Sequence, residues 1–82
     1  MISNPHFLKI GVVIEMMQSS SDNKFARESW DAAAGTYIAL YTPPDPLGKD
    51  LPFIYLVTAQ GDRVPWVPSQ IDLLAEDWYM LD

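Results

Sequence analysis

The stretch Phe53-Ile54-Tyr55-Leu56-Val57-Thr58 is the clearest strand in the sequence, because nearly all of its residues are β-branched, aromatic or otherwise apolar. It is followed by Gln60-Gly61-Asp62, which predicts a hairpin turn. The chain then returns through Arg63-Val64-Pro65-Trp66, where Pro65 has no N–H donor and restricts the strand to an edge or a strand end. The stretch therefore predicts an antiparallel sheet with residues 63–66 near its border.

Two further strands are predicted on the N-terminal side of this hairpin. Thr36–Tyr41 follows Gly35 and is rich in β-forming residues. Lys24–Trp30 predicts a short strand and its exit. Between the strands, residues 42–52 contain four prolines and one glycine, which predicts a loop with little regular structure.

The N-terminal segment predicts a helix over residues 6–18. Asn4-Pro5 is a typical start, since an N-cap residue precedes a proline at the first helical position. The β-branched run at residues 12–14 has low helix propensity, but helical periodicity outweighs it. The apolar residues that recur at this spacing are Phe7, Ile10, Ile14 and Met17.

A second, shorter helix is predicted after Ser69. Ser69 and Asp72 resemble a capping box, with Asp in place of the usual Glu or Gln. Residues 77–81 are predicted to return to a strand. The apolar residues expected on one face of this helix are Ile71, Leu74, Ala75 and Trp78. The order of elements indicates one α+β domain over residues 1–82, a small antiparallel sheet with an N-terminal helix and a short C-terminal helix.

The composition limits the partners that the chain is expected to bind. The chain has 82 residues, no cysteine and a net charge of −6, so disulfides and thiolate sites are excluded. The charge argues against nucleic-acid polymers and anionic membranes. The basic residues are scattered: Lys9, Lys24, Arg27, Lys49 and Arg63. No signal peptide or membrane span is predicted, and so small a core favours a homo-oligomer.

Candidate catalytic groups are few. His6 is the only histidine, so a Ser–His–Asp arrangement would depend on it. Asp72 and Glu76 would share a helix face and could bind a hard cation. A solvated acidic face is favoured instead, with Asp72 near the helix N-terminus. The chain also has no glycine-rich phosphate loop. From these observations together, we predict no catalytic residue, no metal ligand and no cofactor.

Two tryptophans at strand-to-loop junctions indicate a different chemistry. Arg27 precedes Trp30 by three residues, and Trp66 lies just ahead of a predicted helix N-terminus. A nucleobase stacks on an aromatic face, whereas a phosphate suits an arginine fork and helix N–H groups. These are the parts of a nucleotide pocket, and core packing is the alternative interpretation. For Trp78, core packing is favoured.

Two segments and the first predicted helix resemble a known family. The segments are Val64-Pro65-Trp66-Val67-Pro68-Ser69-Gln70-Ile71-Asp72-Leu73-Leu74-Ala75-Glu76-Asp77-Trp78 and Ala26-Arg27-Glu28-Ser29-Trp30-Asp31. The first is similar to the C-terminal signature of the second Thoeris anti-defence family of phages and prophages, and the second to its A-R-E-x-W-N segment. Ile10-Gly11, Ile14-Glu15 and Met17 resemble its first helix, so the resemblance extends over about residues 10–82.

The resemblance implies a function and a set of site residues. A member would act in the cytoplasm of the infected bacterium and bind the cyclic ADP-ribose isomer made by the host's TIR-domain sensor, without cleaving it. Some relatives also capture cyclic dinucleotides, and the family assembles as homotetramers with pockets at or near subunit contacts. The ligand-binding positions carried over are Arg27, Trp30 and Asp31 first, then Trp66, Ser69, Gln70 and Asp72.

The chain departs from the family pattern directly after Trp30. Asp31 stands where the family usually has Asn, so its side chain can accept a hydrogen bond from a ribose hydroxyl but cannot donate one, and its charge repels phosphate. Residues 32–35 replace a Gly-Lys-Gly-like turn, so its basic residue is lost. In the second group, helix capping is the alternative role of Ser69 and Asp72, and core packing that of Trp66.

Two other functions stay open at the level of sequence. The net charge of −6 suits an acidic inhibitor that covers a basic surface of a host protein, although the acidic residues are dispersed. The other is an enzyme, a hydrolase of the same nucleotides that uses Asp72, Glu76 or Asp77.

Overall fold

The computed structural model describes residues 7–30, 35–44, 47–48 and 50–81. Their elements are α1 (Ile10–Ser19), β1 (Lys24–Arg27), β2 (Tyr37–Tyr41), β3 (Phe53–Val57), β4 (Arg63–Pro65), α2 (Gln70–Leu74) and β5 (Trp78–Leu81). The strands form one antiparallel sheet in the order β4-β3-β2-β1-β5. The predicted α+β fold is confirmed. Within these residues, no helix is long and apolar enough to cross a membrane.

The hairpin of β3 and β4 forms where the sequence predicts it. Val57 pairs with Arg63, and the turn between them contains Gly61 at φ 89°. Glycine reaches this left-handed region without a steric penalty, and the Gly61 N–H donates to the Thr58 carbonyl at 2.9 Å. β4 lies at a border of the sheet, which agrees with the missing N–H donor of Pro65.

The first helix begins later than predicted, at Ile10 rather than residue 6. Leu8 instead forms an antiparallel bridge with Trp78, with N–H···O distances of 2.7 and 3.2 Å. This pairing holds the backbone extended, so the helix begins after Lys9, whose side chain makes no capping hydrogen bond. The predicted start at Asn4-Pro5 lies outside the described residues.

The core lies between α1 and one face of the sheet. Val13 and Met17 of α1 are fully buried against Phe25, Ile38 and Trp78. α2 contacts α1, so both helices lie on this side. Strand residues alternate between faces and cross-strand partners share one, so the other face carries the even-numbered residues of β1 and the odd-numbered residues of β2 to β5. We call it the helix-free face.

α2 does not bury the apolar face predicted for it. The helix ends at Leu74, because Ala75 is extended, so Ala75 and Trp78 do not continue its face. Ile71 is 71% and Leu74 77% exposed, and Val67, just before the helix, is 86% exposed. One and a half turns are too short to turn all four residues toward the core. We call Val67, Ile71 and Leu74 the α2 apolar surface.

Candidate functional site

Trp78, the first residue of β5, lies at the centre of three tryptophans. Its side chain is fully buried, and its indole N–H donates to the main-chain carbonyl of Asp72 at 3.1 Å. The ring centroids of Trp30 and Trp66 lie 5.1 and 5.7 Å from that of Trp78, at interplanar angles of 79° and 83°. Both rings therefore meet Trp78 edge to face, an arrangement that the ring quadrupole favours. We call these residues the tryptophan cluster.

Three separate segments supply the tryptophan cluster. Trp30 follows β1, and its N–H donates to the carbonyl of Arg27 at 3.0 Å. Trp66 follows β4, and its N–H donates to the carbonyl of Ile54 at 3.0 Å. Because β4 and β5 are opposite borders of the sheet, residues 67–77 must cross from one border to the other. This crossing, which contains α2, brings Trp66 and Trp78 together.

Arg27 lies next to the tryptophan cluster in a network of ion pairs. Its Nε and Nη2 donate to the two carboxylate oxygens of Asp77 at 2.9 and 3.4 Å, and its Nη1 donates to Oδ1 of Asp72 at 3.2 Å. The Arg27 side chain is only 14% exposed. Its hydrogen bonds to Asp77 raise the pKa of Arg27 above the ordinary value, although partial burial opposes them. The guanidinium therefore stays charged near neutral pH, and one cation faces two carboxylates.

The N-terminus of α2 is capped by its own side chains. The Ser69 hydroxyl accepts the Asp72 N–H at 3.1 Å, and Oδ2 of Asp72 accepts the Ser69 N–H at 3.2 Å. The predicted capping box is therefore confirmed. Since the other carboxylate oxygen of Asp72 accepts from Arg27, a single side chain caps α2 and ties it to β1.

Five of the seven predicted site residues come together around Trp78: Arg27, Trp30, Trp66, Ser69 and Asp72. Gln70, the first residue of α2, is exposed beside them. Asp31, like the histidine considered for catalysis, His6, lies outside the described residues. The binding role of all seven stays a prediction.

The importance of Asp77 as a partner of Arg27 was missed from the sequence. In the register of β1 with β5, Arg27 is opposite Trp78, so the preceding residue, Asp77, lies within reach of the guanidinium. A prediction that residues 24–27 pair with residues 78–81 would have indicated that Asp77 lies near Arg27. The expectation that Trp78 packs in the core is confirmed.

The arrangement offers ring surface more than reactive groups. Trp30 and Trp66 are half-buried, so each is fixed by packing while part of its surface stays open. The carboxylates of Asp72 and Asp77 are both engaged by Arg27. Across the described ranges, no group of His, Cys, Asp and Glu side chains could hold a metal ion.

Comparison with known proteins places the chain in a family. A family model described as the Thoeris anti-defense 2-like domain matches residues 8–81, a range that includes both helices, all five strands and the tryptophan cluster. No curated protein matches the chain. The match covers far more than half of the 82 residues, and the chain therefore belongs to the Thoeris anti-defense 2-like domain family.

Proposed function

We propose that this protein is a phage sponge that binds a cyclic nucleotide immune signal in the host cytoplasm and holds it without cleaving it. Membership of the family supports an anti-defence role against Thoeris. The observation that carries the finer proposal is the tryptophan cluster, in which Trp30 and Trp66 come from distant segments and are both fixed on Trp78. The resemblance in sequence favours a cyclic ADP-ribose isomer as ligand, with cyclic dinucleotides as a second class.

In this proposal Trp30 stacks on the adenine of a cyclic ADP-ribose isomer, and Trp66 provides a second ring surface for the same adenine or, in a cyclic dinucleotide, for the second base. Their edge-to-face packing on Trp78 fixes both rings before a ligand arrives, and a preorganised site loses less conformational entropy on binding. Arg27 has five N–H groups, of which three are donated to Asp72 and Asp77. It acts mainly as a positioning residue, because a phosphate at Arg27 would also meet two carboxylates.

Replacing Trp30 with alanine is expected to weaken ligand binding by about 1–3 kcal/mol, the cost of one lost base–aromatic contact. Isothermal titration calorimetry with the purified cyclic ADP-ribose isomer measures the change. Tyr79→Ala is the matched control, because Tyr79 is also a half-buried aromatic residue but lies on the helix-free face. Unchanged affinity in a folded Trp30→Ala protein would show that Trp30 is not part of the binding site.

Recovery of the ligand separates the sponge from its two rivals. The protein is mixed with the cyclic ADP-ribose isomer, washed and heat-denatured, and the released molecule is identified by mass spectrometry. Intact ligand in the heat release supports the sponge. A cleaved ligand points instead to a hydrolase that uses Asp72, Glu76 or Asp77. An empty release, with intact ligand in the wash, points to an acidic inhibitor of a host protein.

We further propose that copies of the chain associate through the α2 apolar surface. Exposed apolar surface of this kind is typical of interaction sites, and its three aliphatic residues are largely exposed within eight residues of the chain. In a two-fold dimer the same surface is buried on both copies, and each aliphatic side chain removed from water contributes roughly 1.5–3 kcal/mol. Six such side chains together contribute about 9–18 kcal/mol, which is of the same order as the cost of association, about 4–15 kcal/mol. The homotetramer implied by the resemblance requires a second interface as well.

The double substitution Ile71→Asp and Leu74→Asp is expected to dissociate this interface, because four carboxylates would face each other across a two-fold contact. Multi-angle light scattering after size exclusion measures the mass against the 9.3 kDa of one chain. Gln70→Asp is the control, since it adds a charge to the same helix outside the apolar surface. A monomeric wild-type protein, or an unchanged mass in the double variant, contradicts the proposal.

A further inference from the structure

A cleft of about 270 Å³ is lined by residues of β2, β3 and β4, all but one of which lie on the helix-free face. Its lining residues are Tyr41, Phe53, Tyr55, Arg63, Val64 and Pro65. Tyr41 and Phe53 are direct cross-strand partners, with ring centroids 5.1 Å apart and an interplanar angle of 39°. The guanidinium carbon of Arg63 lies 5.2 Å from the centroid of the Tyr55 ring. The cleft therefore combines aromatic surface with one cation.

The cation in the cleft differs from Arg27 in its electrostatic surroundings. Arg27 faces two carboxylates, whereas no carboxylate in the described part of the chain forms an ion pair with Arg63. Lys24 lies on the same face, 5.1 Å from the centroid of the Tyr37 ring. None of the described strand residues on the helix-free face is acidic. In a chain with net charge −6, this face is the better equipped to attract an anion.

We propose that this cleft is a second binding site, which takes a planar aromatic ring carrying one phosphate or carboxylate group. The ring of the ligand stacks on the aromatic side chains that line the cleft. Its anionic group accepts hydrogen bonds from Arg63. A guanidinium that stacks on an aromatic face keeps its N–H edge available for such an acceptor. The site does not rest on the function proposed for the tryptophan cluster.

The size of the cleft restricts the ligand further. Its volume lies just below the roughly 300–1,000 Å³ of sites that enclose drug-sized molecules. It therefore accommodates one ring system with one anionic group, as in a nucleoside monophosphate or an aromatic carboxylate. A nucleoside monophosphate and an aromatic carboxylate both combine a planar ring with one anionic group. Titration with one compound of each kind distinguishes them.

The experiment titrates the wild-type protein separately with adenosine 5′-monophosphate, adenosine, inorganic phosphate and indole-3-acetate, followed by calorimetry and by amide NMR shifts. We expect one of the two ring-bearing anions to bind at least tenfold more tightly than adenosine or phosphate alone, and the tighter one identifies the source. Arg63→Gln is expected to abolish this advantage. Lys24→Gln is the matched control, because it removes a cation that lies over a ring on the same face but outside the cleft.

Three outcomes overturn the proposal. The first is a lack of saturable binding of either ring-bearing anion at millimolar concentration. The second is equal binding by the wild type and Arg63→Gln. The third is binding that is lost in Trp30→Ala and kept in Arg63→Gln, because the anion then occupies the tryptophan cluster. Unimpaired binding by a Tyr55→Leu variant would show that the Tyr55 ring does not stack on the ligand.

Discussion

Trp78→Ala is expected to lower the free energy of unfolding by about 3–5 kcal/mol, the range for large-to-small changes of buried aromatic residues. Trp78 is fully buried and is the largest side chain of the core. Its removal also takes away the packing partner of Trp30 and Trp66 and the donor to the Asp72 carbonyl. Because small domains are stable by only about 5–15 kcal/mol, the variant is expected to lose much of its stability. Urea denaturation followed by circular dichroism measures the change.

Two further substitutions keep this prediction testable if Trp78→Ala does not fold. Trp78→Phe keeps an aromatic ring in the core but removes the indole N–H, so we expect a loss of about 1–3 kcal/mol for the smaller ring and the unpaired carbonyl. Met80→Ala is the control, since Met80 lies in the same strand and is 40% exposed, and its loss should be clearly smaller. A change below about 1 kcal/mol for Trp78→Ala contradicts the central role of this residue.

The elements that the sequence predicted correctly are those fixed by neighbouring residues. Gly61 lies in a turn between two strands, and Ser69 and Asp72 form their capping box within four residues. The predicted start of α1 was wrong, because the observed start depends on the pairing of Leu8 with Trp78, which are 70 residues apart. Local periodicity contains no information about such a contact.

The candidate site shows the same division. The motif match selected residues that the fold brings together, such as Trp30 and Trp66. It did not indicate that Arg27 is neutralised by Asp77, because that ion pair joins residues 50 positions apart. The exposure of the apolar residues of α2 could not be predicted either, since it depends on where the short helix ends and on which surfaces meet other copies.

The second large effect is expected at Arg27. Arg27→Met leaves the side chains of Asp72 and Asp77, which are 16% and 24% exposed, without their cation. Breaking a buried ion pair costs about 3–5 kcal/mol, and the partial exposure of these groups reduces our expectation to about 2–4 kcal/mol. Arg63→Met is the control, because Arg63 is exposed and forms no ion pair within the described residues. Its contact with the Tyr55 ring is worth about 0.5–1 kcal/mol at an exposed site, so its loss should stay below that of Arg27.

A double-mutant cycle with Asp77→Asn tests both the ion pair and the positioning role of Arg27. Asp77 is the better partner than Asp72, which also caps α2. We expect a coupling energy of about 1–3 kcal/mol between the two positions, measured by urea denaturation. The absence of coupling would show that the ion pair does not contribute to stability.

Ligand affinity is the second measurement on the same proteins. If Arg27 only positions its surroundings, affinity lost in Arg27→Met should recover when Asp77→Asn also removes the unpaired carboxylate. If Arg27 donates directly to a phosphate, affinity stays low in both, and the positioning role is wrong.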